Sequence, residues 1–371
     1  MTQIVDIRGK DDRRDAVARV VQALVDGALV GLPTETGYVA AAHLLNASAV
    51  ARLAELPADT GATLVVALRS EREIHDYVPD AGTLAERLMR RCWPGPVVLQ
   101  LPVAGDVGLL RTISEASQRV LRTNSDVRFA DSTDPIFREV LRELPSPVVV
   151  LPPPSRDAAA RAEPFVEAAD GAVALCLDAG PVRFDQPPTV VHVCGPKWRI
   201  VREGVVSEQA VARMTGEVVL FVCTGNTCRS PMAEGLFRKI LAERVQCAED
   251  DLEVNGYIVM SAGLAAVPGY PAAPESIEVL DSRGVDLRGH ASRPVTQQLI
   301  RQSDRIYTMT AGHRESIVAT YPEAADYVEV LSRQGTDVSD PIGQGISVYQ
   351  ASRDEIERHV RALVDEIRPE R

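Results

Sequence analysis

Cys223 and Arg229 stand at Cys-x5-Arg spacing in Val222-Cys223-Thr224-Gly225-Asn226-Thr227-Cys228-Arg229-Ser230-Pro231. A loop of that length lets the backbone circle a tetrahedral oxyanion and returns a guanidinium over it, whose planar fork holds two oxygens at once. Gly225 and Asn226 are the residue types that accept positive φ, which a nest of inward N–H groups requires. Thr224, Gly225, Asn226, Thr227, Cys228 and Ser230 therefore form the expected phosphate-binding set. Converging N–H dipoles and Arg229 favour a thiolate at Cys223, and Ser230 offers the sulfur a hydroxyl donor. A thiolate beside a phosphoryl group is a nucleophile, so the expected course is transfer to Cys223 and then hydrolysis. Asp340, held in its loop by Pro341, is the expected general acid for the leaving group and base for the attacking water. Singly, a cysteine after a strand is ordinarily a small core residue and Asp-Pro ordinarily a turn; it is their combination that points to catalysis. Cys228 is either a reversible disulfide partner of Cys223 or simply a buried thiol. No second ligand pair at zinc spacing accompanies these cysteines, so no metal or cofactor is expected.

The elements that must position these residues are legible around them. Residues 218–222 form a short apolar run of the kind found in buried parallel strands. Pro231 falls in the first turn of a helical pattern that continues to 243, where its missing N–H costs nothing. Strand, loop and helix N-terminus together make an anion site. Further strands are expected at 251–260, 305–309 and 327–331. Helices are expected at 275–283, 297–302 (after the N-cap Thr296), 311–320 and 347–367. This alternation implies a doubly wound four-stranded parallel sheet with its ligand at the C-terminal strand ends. The first half reads as a mixed α/β twisted sheet, with strands near 4–7, 28–32, 63–68, 97–101, 147–151, 173–177, 189–193 and 199–202. Helices are expected there at 12–26, 48–55 and 82–91. The chain thus divides into an α/β domain over 1–213, a linker at 214–216 and a second α/β domain over 217–371.

The 371 residues suffice for two cores. A net charge of -12 argues against a nucleic-acid-binding face. Six cysteines without framework spacing suit a reducing compartment. No basic start with an apolar signal core and no membrane-length apolar run is visible, so a cytoplasmic protein acting away from membranes is expected.

Residues 217–371 resemble the low-molecular-weight protein tyrosine phosphatase family. The matching stretches are residues 222–234, Ser261-Ala262-Gly263, Gly289-His290-Ala291-Ser292-Arg293, Met309-Thr310 and Asp340-Pro341. The resemblance implies Cys223 as nucleophile, Arg229 as phosphate clamp, Asp340 as acid, and Asn226 and Ser230 as loop-holding and thiolate-supporting residues. Phosphorylated proteins are the implied substrates. Cys-Thr-Gly-Asn-Thr-Cys-Arg-Ser is similar to the bacterial protein arginine phosphatase branch, as is the stretch 349–355. Tyrosine-directed members usually carry an aliphatic residue where this chain has Thr227, and often aromatics where it has Ile342-Gly343. Phosphoarginine is thus the leading substrate, with phosphotyrosine the alternative. A disulfide-relay arsenate reductase would need cysteines late in the domain, and none follows Cys247.

Residues 1–213 resemble the threonylcarbamoyl-adenylate synthases (the YrdC-like family), which make a tRNA-modification intermediate from ATP, threonine and bicarbonate. The carrying residues are Pro33-Thr34-Glu35-Thr36, Trp93-Pro94-Gly95-Pro96, Asp178-Ala179-Gly180, Thr189-Val190-Val191 and Arg202-Glu203-Gly204. The family's Lys-x-Arg pair is replaced by the cation-free Ala54-Glu55-Leu56-Pro57-Ala58-Asp59, and its Ser-Ala-Asn triplet by Pro152-Pro153-Pro154-Ser155. Proline donates no N–H and has no side-chain oxygen. Glu35 and Val39 also depart from the pattern, and Arg122 is the expected surviving cation. A degenerate, non-catalytic domain is expected; a regulatory module binding ATP or threonine is the alternative.

Overall fold

The computed structural model describes residues 2–9, 13–58, 62–103, 107–144 and 146–367. The expected helix start at Asp12, and Asp59, lie outside the described residues. Two compact units are present, Met1–Met214 and Thr215–Arg371.

The first unit is built on ten strands: β1 (Gln3–Asp6), β2 (Leu29–Pro33), β3 (Tyr38–His43), β4 (Val65–Ala67), β5 (Val97–Pro102), β6 (Asp126–Ala130), β7 (Val148–Leu151), β8 (Val173–Asp178), β9 (Thr189–Cys194) and β10 (Lys197–Arg202). They form one mixed sheet in the order β1-β8-β2-β3-β7-β4-β6-β5-β9-β10. Apolar cores lie on both faces, and the strand period of two divides residues between them. Tyr38, Ala40 and Ala42 enter one core, Val39 and Ala41 the other. β3 and β6 were not among the expected strands. β3 is alanine-rich and carries little β-propensity, yet it pairs antiparallel with both β2 and β7, which supply the order its own residues do not. β6 carries Asp126 and Arg128 in an interior strand, where Gln100 satisfies both: it donates to Asp126 at 2.8 Å and accepts from Arg128 at 3.0 Å.

The second unit has β11 (Glu217–Cys223), β12 (Tyr257–Gly263), β13 (Arg305–Thr308) and β14 (Val328–Val330). All pair in parallel, in the order β12-β11-β13-β14. The expected strand at 251–260 begins later: residues 249–251 form a short 3-10 turn, and Gly256, at φ +85°, turns the chain into β12. β11 lies inside the sheet, paired at both edges, and helices cover both its faces. Val219, Phe221 and Cys223 share a core with the helices Arg229–Val245 and Ile346–Glu366, while Leu220 and Val222 meet the helices Gln297–Gln302 and Ala311–Thr320. Gly235 lets the first of these helices approach closely, since a Cβ there would stand 2.6 Å from Val285.

Candidate active site

The alternation along β11 brings Cys223 to the C-terminal edge of the sheet, with its residue 3% exposed. The helix Arg229–Val245 starts six residues later, with Pro231 in its first turn. Between them Asn226 takes the left-handed conformation, at φ +56°. Gly225 does not, contrary to the expectation above. A Cβ at Gly225 would meet only the Thr227 hydroxyl, at 3.6 Å. The glycine this loop requires is Gly263 on β12, where a Cβ would stand 2.5 Å from the Thr224 carbonyl and 2.8 Å from the Asn226 nitrogen.

Outside partners orient the loop's peptide planes. The carbonyls of Cys223, Thr224 and Thr227 accept from the backbone N–H of Leu264 (3.0 Å), Ala265 (2.9 Å) and Ala273 (2.8 Å). The carbonyl of Asn226 accepts from His290 Nε2 at 2.8 Å, which places that ring's proton on Nε2. In a trans peptide the following N–H points opposite to the carbonyl. The N–H groups of Thr224, Gly225, Thr227 and Cys228 are thereby turned away from these partners, into the ring of the loop. That is the donor arrangement an oxyanion needs.

The sulfur of Cys223 lies 3.0 Å from Ser230 Oγ and accepts from the Asn226 backbone N–H at 3.2 Å. Asn226 is the buried hub. Its Oδ1 accepts from the Arg293 N–H at 2.9 Å, and its Nδ2 donates to Ser230 Oγ at 3.0 Å and Ser261 Oγ at 2.8 Å. Ser261 in turn donates to Glu234 at 2.6 Å. Ser261, Glu234, His290 and Arg293 received no role from sequence, although all lie in stretches that carry the resemblance. Their part depends on contacts across more than 25 positions, which spacing does not reveal.

Arg229 is buried. Its Nη1 donates to the Val338 carbonyl at 3.0 Å, and its Nη2 is ion-paired with Asp340, whose side chain is 43% exposed. Asp340 also accepts from the Ile342 N–H at 3.1 Å. The loop that carries Asp340 is thus brought to the guanidinium. Cys228 is buried and its sulfur lies 3.5 Å from Tyr349 Oη and 3.7 Å from Thr227 Oγ1. Cys223 and Cys228 are both free thiols. Thr224 Oγ1 bonds His313 Nε2 at 2.9 Å. Among the described residues, no group of three or more His, Cys, Asp or Glu side chains could hold a metal ion, and no helix is long and apolar enough to cross a membrane.

The first unit has an open cleft walled by Val39, Val65, Val98, Val150, Pro152 and Pro153. The expected cation Arg122 does not line it. Arg122 ends the helix Glu115–Leu121 and donates to the Val103 carbonyl at 2.8 Å, so its reach is directed elsewhere. The arginines that do line the cleft are Arg128, Arg156 and Arg202. Arg156 spends its guanidinium on the carbonyls of Thr36 (2.9 Å), Asp185 (3.1 Å) and Phe184 (3.3 Å). Burial, and then the nearby charge of Arg202, hold Arg128 below the ordinary guanidinium range. Glu35 is buried and accepts from Ser132 and from the Thr133 N–H.

Comparison with known proteins treats the two units separately. Residues 218–371 match the family described as low molecular weight phosphotyrosine protein phosphatase, and residues 22–204 match the YrdC-containing family described as telomere recombination. A protein-arginine-phosphatase of Bacillus subtilis is 40% identical over 157 residues, covering 41% of this chain and 98% of that protein. A low molecular weight protein-tyrosine-phosphatase of Escherichia coli is 31% identical, covering 42% of this chain and 92% of that protein. A solved arginine phosphatase structure from Geobacillus stearothermophilus is 36% identical, with a TM-score of 0.36, covering 40% of this chain and 92% of that one. This chain belongs to the low molecular weight phosphotyrosine protein phosphatase family: it is a cysteine-dependent phosphatase that carries a YrdC-like domain ahead of its phosphatase unit.

Proposed function

We propose that the second unit hydrolyses phosphoarginine on proteins through a phosphocysteine intermediate. The Cys223 sulfur attacks phosphorus, and the bond from phosphorus to the guanidino nitrogen breaks as Asp340 gives that nitrogen its proton. Water then attacks the phosphocysteine, Asp340 takes its proton, the S–P bond breaks and inorganic phosphate leaves. Inward N–H groups and Arg229 hold the equatorial oxygens in both steps. The observation that carries the substrate is Thr227, half-buried in the loop beside Cys228, where a hydroxyl suits a polar, planar guanidinium better than a phenyl ring. The arginine phosphatase of Bacillus subtilis, at 40% identity, supports the same reading. A second reading, phosphotyrosine, draws on the exposed Ile342 and Tyr270, apolar surfaces against which a ring could pack. The test compares phosphoarginine and phosphotyrosine peptides on wild type, Cys223→Ser and Thr227→Ile. Phosphoarginine turnover that disappears in Cys223→Ser and shifts toward phosphotyrosine in Thr227→Ile is expected. Turnover that survives in Cys223→Ser would remove the mechanism.

The first unit is, in this reading, non-catalytic. Its cleft presents proline where N–H donors would be wanted and has no lysine among its described lining residues. Arg156 is already committed to backbone carbonyls. Threonine- and bicarbonate-dependent release of pyrophosphate from ATP by the full chain would overturn this, and saturable ATP or threonine binding without turnover would instead favour a regulatory module. The six free thiols match the reducing cytoplasm as the place of action.

A further inference from the structure

His313 is a buried side chain that the phosphatase chemistry above does not use. It sits on the first turn of the helix Ala311–Thr320, and both its ring nitrogens are engaged by hydroxyls. Nδ1 lies 2.9 Å from Thr310 Oγ1, and Nε2 lies 2.9 Å from Thr224 Oγ1. Thr310 caps this helix, its hydroxyl accepting from the His313 N–H at 3.1 Å. The same helix start also carries the acid loop. The Met309 carbonyl accepts from the Val338 N–H at 2.8 Å, and the Ala311 N–H donates to Asp337 at 2.7 Å. One rigid helix start therefore holds the loop that presents Asp340 and, through one imidazole, the residue that follows the Cys223 sulfur.

We propose that His313 is a positioning residue for the phosphoryl cradle, acting through the Thr224 hydroxyl. This rests on the phosphatase reading above. The Thr224 N–H is one of the inward donors. The peptide planes before and after this residue are held through the Cys223 carbonyl by the Leu264 N–H and through the Thr224 carbonyl by the Ala265 N–H, which leaves its side chain as the part still to be fixed. Fixing the Thr224 side chain removes the remaining freedom of that residue. A neutral imidazole suits the task because it has one donor and one acceptor, and each adjacent hydroxyl can take the complementary role. Burial, then the charge of Arg229, hold the ring below its ordinary value, with Asp340 and Asp337 opposing. Removing the ring lets Thr224 turn and loosens the cradle against the acid loop, without touching the sulfur or the clamp.

The test is a double-mutant cycle on the full chain, with p-nitrophenyl phosphate as substrate and inorganic phosphate as competitive inhibitor. His313→Ala and Thr224→Val should each lower kcat about tenfold, the loss of one hydrogen bond's worth of alignment. Each should weaken phosphate inhibition by a similar factor. The double variant should lose no more than either single one, because the two residues act as one unit. His313→Gln, whose amide also offers a donor and an acceptor, should recover most of the rate. Losses that multiply in the double variant, or a His313→Ala enzyme within twofold of wild type in both kcat and phosphate inhibition, would overturn the proposal. If wild type itself fails to turn over the substrate, the phosphatase reading has failed, while phosphate binding still reports on the cradle.

Discussion

The guanidinium of Arg229 is shared between the carboxylate of Asp340 and the carbonyl of Val338, so the phosphate clamp and the proposed acid belong to one hydrogen-bonded unit. A phosphoryl group entering the loop competes with Asp340 for the same Nη2. On the proposed mechanism, Arg229 would turn to the phosphoryl oxygens and leave Asp340 beside the leaving group. In that proposal clamping and acid delivery would be one movement, with the 43% exposed side chain of Asp340 free to make it.

Asp340→Asn keeps the size of the side chain and removes the proton. Turnover of phosphoarginine peptides should fall about 10²- to 10⁴-fold, the usual worth of a positioned acid. The loss on p-nitrophenyl phosphate should be smaller, since that leaving group needs little protonation. Equal losses on both substrates in steady-state assays would count against Asp340 as the acid.

Gly263→Ala places a methyl group against two backbone atoms of the phosphate loop. Neither is a flexible side-chain end, so the loop itself must move. Phosphatase turnover should be lost while the far-UV circular dichroism spectrum persists. Gly225→Ala, whose methyl would meet only a hydroxyl at 3.6 Å, should keep most of its activity.

The neutral ring of His313 favours the folded state at neutral pH. Its proton affinity is lowered from the ordinary 6.5 by burial, then by Arg229, so the unfolded chain binds that proton more readily. The resulting stability is complete above pH 6.5 and is lost as pH falls from there through the lowered folded value. Thermal unfolding at pH 7.5 and 5.5 should show this loss in wild type, and a smaller one in His313→Gln.

Residues 215–371 form a compact unit of their own, and the Bacillus subtilis relative spans only this length. Expressed alone, this segment should hydrolyse p-nitrophenyl phosphate with the kcat of the full chain. A large drop would show that the YrdC-like unit takes part in catalysis.

The second unit was the more legible one because its strands are apolar runs separated by helical segments, and Cys223 sits where one such run ends. What sequence did not reveal was relational. Nothing in the spacing of Asn226, Ser261 and Glu234 says that they form one buried chain of hydrogen bonds. Gly225 invited the positive φ that only Asn226 adopts, because residue type states a permission and neighbouring backbone decides its use. In the first unit, β3 is mostly alanine and does not announce a strand, and β6 holds two charges that Gln100 bridges, with His192 also against Asp126. Arg122 and Arg128 are six positions apart in similar surroundings of sequence, and only the strand placement of Arg128 directs it to the cleft.

The carbonyls of the phosphate loop are held from outside by Leu264, Ala265, Ala273 and His290. Its grip on an anion therefore lies in peptide orientation, and peptide groups do not titrate. They also act only at contact distance, so a chain of net charge -12 gains no long-range pull on a dianion from them. The side chain at Thr227 can then diverge to choose a substrate while the donors stay in place. Three of the four outside partners hold the loop through backbone N–H groups, which any residue but proline supplies, so His290 is the one whose side chain the cradle depends on.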